Sequence, residues 1–156
     1  MKKKVPTLLL VALVVAAALL YFLPTKTFDE LMPLPEPVSV TAYYWPSGND
    51  YLSRTWETGS PQVESVLKDL RSTQFSKSPI CTLTWRLRRM GNTLIGNAGT
   101  LTLEFRDEAG SKYLIGMQNG TFNFAPPDGG LSKGWMASDP ELGDQLIERF
   151  FIAPET

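Results

Sequence analysis

The sequence predicts an α+β fold. An N-terminal transmembrane helix precedes a β-α-β-β-β-α domain whose two helices pack on one face of a mixed, mainly antiparallel sheet. Three observations predict it: an uncharged opening run, several segments of strict two-residue alternation, and two segments of helical spacing.

The opening is Met1-Lys2-Lys3-Lys4, followed by nineteen uncharged residues from Val5 to Leu23. Such a helix rises about 28 Å, close to the thickness of a bilayer's hydrocarbon layer. The three lysines favour a cytoplasmic N-terminus, and Tyr21 and Phe22 suit the far interface. Residues 1–23 are therefore expected to be a basic start and a single-pass anchor, with the C-terminal domain outside the cell. The competing reading is a cleaved signal peptide with Ala16-Ala17-Ala18 as its small-residue site, which would give a secreted protein.

Residues 24–37 carry four prolines and read as an extended linker, although Phe28, Leu31, Met32 and Leu34 can lie against a core. The folded domain is expected over 38–156. Val38–Trp45 alternates β-branched and aromatic residues and predicts a strand. Pro46–Asp50 turns the chain, and Tyr51–Thr58 fits either a short strand or a loop. Ser60-Pro61 opens a helix, because Ser suits the N-cap and Pro the first helical position. Val63, Val66, Leu67 and Leu70 give that helix one apolar face, and it is expected to end near Gln74.

Ile80–Arg89, Thr100–Arg106 and Lys112–Gln118 alternate in the same way and predict three more strands. The inward residues of the second are Leu101, Leu103 and Phe105; Thr102, Glu104 and Arg106 are expected on a solvated face. Asn119-Gly120 predicts a hairpin with a short return strand over Thr121–Phe124, followed by a loop carrying Trp135. Ser138-Asp139-Pro140-Glu141 fits a capping box for a last helix with Leu142, Leu146, Ile147 and Phe150 buried.

Composition narrows the chemistry. The chain has 156 residues, no His and one Cys. That excludes His-based triads, His zinc sites and an internal disulfide. Net charge is −1, and without the three lysines the rest carries −1 − 3 = −4, so no basic surface calls for nucleic acid. No phosphate-binding glycine loop is present. Asp107-Glu108 and Asp139, Glu141 and Asp144 fit a turn and a helix start rather than a metal site. Cys81 reads as a small buried hydrophobe. No cofactor, metal or catalytic residue is therefore assigned.

Two surfaces are candidates for a ligand or partner. Tyr43, Trp45, Tyr51 and Trp56 form an aromatic group, able to stack on sugars or anchor a protein. Arg86, Arg88 and Arg106 form a basic group, able to hold phosphates or carboxylates. Each has a plain structural alternative: rings packed under a loop, and arginines paired with acids such as Glu104 on a solvated face.

The basic and apolar start, the Pro-rich linker and the Ser60-Pro61 helix opening together resemble small membrane-anchored extracytoplasmic proteins of Gram-positive bacteria, known only as domains of unknown function. The resemblance implies no catalytic residues. The function expected is a non-enzymatic, membrane-tethered binding domain, with a membrane protein or an envelope polymer as partner. The alternative is an envelope hydrolase or transferase that uses carboxylates. A third reading is a regulatory subunit whose Ala16-Ala17-Ala18 stretch packs on a partner helix.

Overall fold

The computed structural model describes residues 4–47, 50–79, 99–118 and 120–152. Helix α1 (Lys4–Phe22) comes first, built from the Leu, Val and Ala run. Then come β1 (Thr25–Thr27), α2 (Phe28–Leu31), β2 (Ser39–Ser47), β3 (Asp50–Glu57), α3 (Pro61–Ser72) and β4 (Gln74–Lys77). After these follow β5 (Thr100–Arg106), β6 (Lys112–Gln118), β7 (Thr121–Ala125), β8 (Ser132–Ala137) and α4 (Leu142–Ile147). A π-helical turn, Glu148–Ile152, closes the described chain.

The strands form one eight-stranded sheet in the order β1-β4-β8-β7-β6-β5-β2-β3. Every pairing in it is antiparallel. This corrects the expected mixed sheet of fewer strands. The segment Tyr51–Thr58, which fitted either a short strand or a loop, belongs to a full strand, Asp50–Glu57. It folds back on β2 as a hairpin and reverses the chain before α3 begins. α3 then delivers the chain to β4 at the opposite end of the sheet, between β1 and β8. The strand expected over Ile80–Arg89, with Cys81, Arg86 and Arg88, lies outside the described residues.

The transmembrane segment is corrected as well. Among the described residues no helix is long and apolar enough to cross a membrane. The single-pass anchor, the signal-anchor reading and the outside placement of the domain lose that support.

One face of the sheet carries the core. Val40 and Ala42 of β2, Leu101, Leu103 and Phe105 of β5, Ile115 of β6 and Phe122 and Phe124 of β7 are buried on it. Val63, Val66 and Leu70 of α3 and Leu142, Leu146 and Phe150 near the C-terminus join the same cluster. The helical spacing of these residues, at three and four positions, puts them on one side of each helix. Asp69 of α3 accepts from Arg149 at 2.6 Å, so the two helical segments are also pinned to each other.

The Pro-rich stretch takes part in the core. Phe28, Leu31, Met32 and Leu34 are buried there. α2 is only one turn long, but a capping box holds it. The Glu30 backbone N–H donates to Thr27 Oγ1, and the Thr27 N–H donates to Glu30 Oε2 at 2.7 Å. The box expected at Ser138 and Glu141 is absent from α4. Asp139 takes its place, accepting from the Glu141 N–H at 2.9 Å.

The second face is not the solvated surface expected. Thr100, Thr102 and Glu104 of β5 are all buried, as is Asn123 of β7. The long side chains of Arg106 and Lys112 reach back over Glu104.

Candidate functional site

The β2–β3 hairpin forms one outer corner of the sheet. β2 carries a bulge between Tyr44 and Ser47, where two β2 residues oppose Tyr51 of β3. Bulges raise local twist and re-aim side chains. Here the result is a three-ring cluster on the second face. Tyr43 and Trp45, two residues apart on one strand, stack with centroids 6.2 Å apart at 28°. Tyr51 crosses from β3 to lie 5.6 Å from Trp45 and 6.2 Å from Tyr43.

The rings are unequally exposed. Trp45 is buried at 8% and forms the base of the cluster, while Tyr51 is 57% exposed and forms its rim. Leu52, the next residue, is 50% exposed on the other face of the same strand. The corner therefore presents apolar surface on both sides of one strand. A rigid aromatic platform of this kind loses little side-chain entropy when it binds.

Trp56 does not belong to the cluster. Its ring lies 4.6 Å from Phe150 on the core face. Tyr51 and Trp56 are an odd number of positions apart on one strand, so they must point to opposite faces. Arg106 is also spoken for. Its Nε and Nη2 reach Glu104 Oε1 at 2.7 and 2.6 Å, and Lys112 stands 3.5 Å from the same oxygen. Arg106 thus pairs with Glu104 along its own strand, and Lys112 of β6 meets the same carboxylate from across the ladder. Arg86 and Arg88 lie outside the described residues. The aromatic group thus comes together in part, through Tyr43, Trp45 and Tyr51.

Two other features carry chemical interest. At the far end of the sheet, Lys77 Nζ lies 4.2 Å over the Trp135 ring and donates to the Lys133 carbonyl at 2.6 Å. Lys26 Nζ lies 5.9 Å over the same ring. Burial, with a smaller contribution from Lys26, pushes the Lys77 ammonium below the ordinary lysine range. In the β5–β6 turn, burial and then the nearby Asp107 carboxylate push the Tyr113 phenol upward. A groove of about 550 Å³ runs between the Pro-rich stretch and α3, lined by Glu36, Pro37, Val63, Glu64, Leu67 and Arg71 among others. Among the described residues, no group of three or more acids, His or Cys gathers at metal-binding distance.

No family model, no curated protein and no solved structure matches this chain.

Proposed function

We propose that the chain is a non-enzymatic interaction domain that takes a protein partner through the β2–β3 corner. The observation that carries the proposal is the half-exposed Tyr51 standing on the stacked Tyr43 and Trp45 rings, with half-exposed Leu52 on the opposite face of the same strand. A buried aromatic base with an exposed aromatic rim matches the anatomy of binding hot spots, in which a few rings carry most of the affinity. A rigid antiparallel sheet holds these rings in place without the partner, which limits the ordering cost of binding.

The test is photo-crosslinking from a reactive side chain placed at Leu52, with Glu108 in the exposed β5–β6 turn as the control position. A defined product from position 52, absent from 108 and reduced at least about tenfold by Tyr51→Ala, is expected. Identical products from both positions would refute the corner as a docking surface.

A further inference from the structure

We propose that β3 is a dimerisation edge, pairing antiparallel with β3 of a second copy of this chain to give one continuous sheet. The proposal rests on the interaction-domain reading and names the partner at that corner. The two edges of the sheet differ. β1 has three residues, too few to template another strand, whereas β3 has eight and, among the described residues, pairs only with β2. An exposed edge of that length offers a row of backbone donors and acceptors. Asp50, Tyr51, Leu52 and Ser53 are all exposed along it.

The hydrogen-bond pattern shows which groups face outward. The Thr58 N–H donates to the Val38 carbonyl at 3.0 Å, and the register continues through Ser39↔Glu57 and Val40↔Trp56. Val38 itself gives its N–H to the Arg106 carbonyl at 2.8 Å, so that pair is only half made; the Gly99 N–H, donating to the Trp45 carbonyl at 2.7 Å, turns the odd residues of β2 toward β5 and leaves Val40, Ala42 and Tyr44 to bond with Trp56, Arg54 and Leu52 across β2–β3. Leu52, Arg54 and Trp56 face inward in this sense. Tyr51, Ser53, Thr55 and Glu57 direct their N–H and C=O groups away from the sheet.

Charge selects the register. A two-fold axis requires the same surface on both copies, so one residue or one residue pair lies at the centre. Centring on Leu52 sets outward-facing Tyr51 opposite outward-facing Ser53 of the second copy. It also sets Leu52 opposite Leu52, and Asp50 opposite Arg54, twice per dimer. Centring on Arg54 brings two guanidinium groups face to face. Centring on Ser53 puts Leu52 against Arg54. Only the first of these three registers pairs opposite charges and apolar with apolar, as cross-strand neighbours require. Arg54 already donates to the Phe150 carbonyl at 3.2 Å, which fixes its side chain near the edge.

The experiment is sedimentation equilibrium of the full chain from about 1 µM to about 1 mM, a range suited to a small interface. The wild type is expected to dimerise within it. Asp50→Arg alone and Arg54→Asp alone each place like charges opposite each other and are expected to weaken the dimer about tenfold or more. Mixed one to one, the two variants restore both pairs and should form a heterodimer. Ser53→Pro removes an outward donor without touching the β2 ladder and should give a folded monomer, which covers the case in which Arg54→Asp fails to fold. A wild type that stays monomeric overturns the proposal. So does a dimer indifferent to Ser53→Pro and to the charge exchange. If position 52 crosslinks to a different protein while the chain stays monomeric, the dimer edge fails and the interaction surface stands. If the chain is monomeric and position 52 gives no specific product, both fail.

Discussion

Glu30 shows how much one side chain can hold. Its carboxylate accepts from the Thr27 backbone N–H and hydroxyl, and these bonds, the backbone one first, hold it below the ordinary carboxylate range. A carboxyl group whose pKa is lower folded than unfolded adds stability above its ordinary pKa. That contribution drains away as pH falls through the folded value. Glu30→Gln keeps the side chain's shape but cannot ionise. We expect the variant's melting temperature to fall less steeply than the wild type's between about pH 5 and about pH 2. Parallel pH curves would show that the box is not anchoring α2. At this scale the sequence is readable only where chain spacing settles proximity. Tyr43 and Trp45 share a face because they are two apart. Proximity in sequence alone groups Trp56 with Tyr51, and their opposite parity follows only once Asp50–Glu57 is known to be a strand. The Thr27-x-x-Glu30 box was also present in the sequence, masked by the prolines around it.

At the scale of elements, long alternating segments were legible and short ones were not. β5 and β6 have seven residues each and match the alternation that predicts them. β4 has four residues and β8 contains Lys133 and Gly134, so neither displays a clear two-residue period. They are strands because Phe75 packs between Phe122 and Phe124 at 5.4 and 5.2 Å, and Asn123 Oδ1 accepts from the Gly134 N–H at 3.0 Å. The Phe75 contacts reach across more than forty residues and leave no local trace. α1 is the opposite case, strongly signalled yet little used by the domain. Its leucines and valines at 8–15 are 51–70% exposed, so their burial contributes little to holding the sheet together. Removing residues 1–23 should leave the thermal midpoint within about 3 °C of the full chain, less than a single buried leucine is worth. A larger drop would mean that α1 packs on the domain in solution.

Over the whole molecule, the sheet runs from a three-residue edge at β1 to the eight-residue edge at β3, with β7, β6 and β5 between. The middle strands have a ladder on each side and Leu101, Leu103, Phe105, Ile115, Phe122 and Phe124 beneath them. The ends have one ladder each, and β3 leans on the core chiefly through Trp56 against Phe150. Amides that exchange only when the whole core opens should therefore lie in β5, β6 and β7. Those of β1 should exchange through local fraying, whose free energy is a small part of the total. For β3 the expectation depends on concentration. Its inward amides at 52, 54 and 56 face β2, while its outward amides at 51, 53, 55 and 57 face away from it, with no further strand beyond them among the described residues. Pairing with a second copy covers 51 and 53 first. Hydrogen exchange measured at about 5 µM and about 500 µM should thus leave β5–β7 unchanged and slow Tyr51 and Ser53 at the higher concentration, by the fraction of chains paired. Slowing that spreads evenly over β5–β7 as well would report a general gain in stability. Slowing confined to alternate amides of one edge strand is the mark of an added strand, because only a ladder protects every second residue.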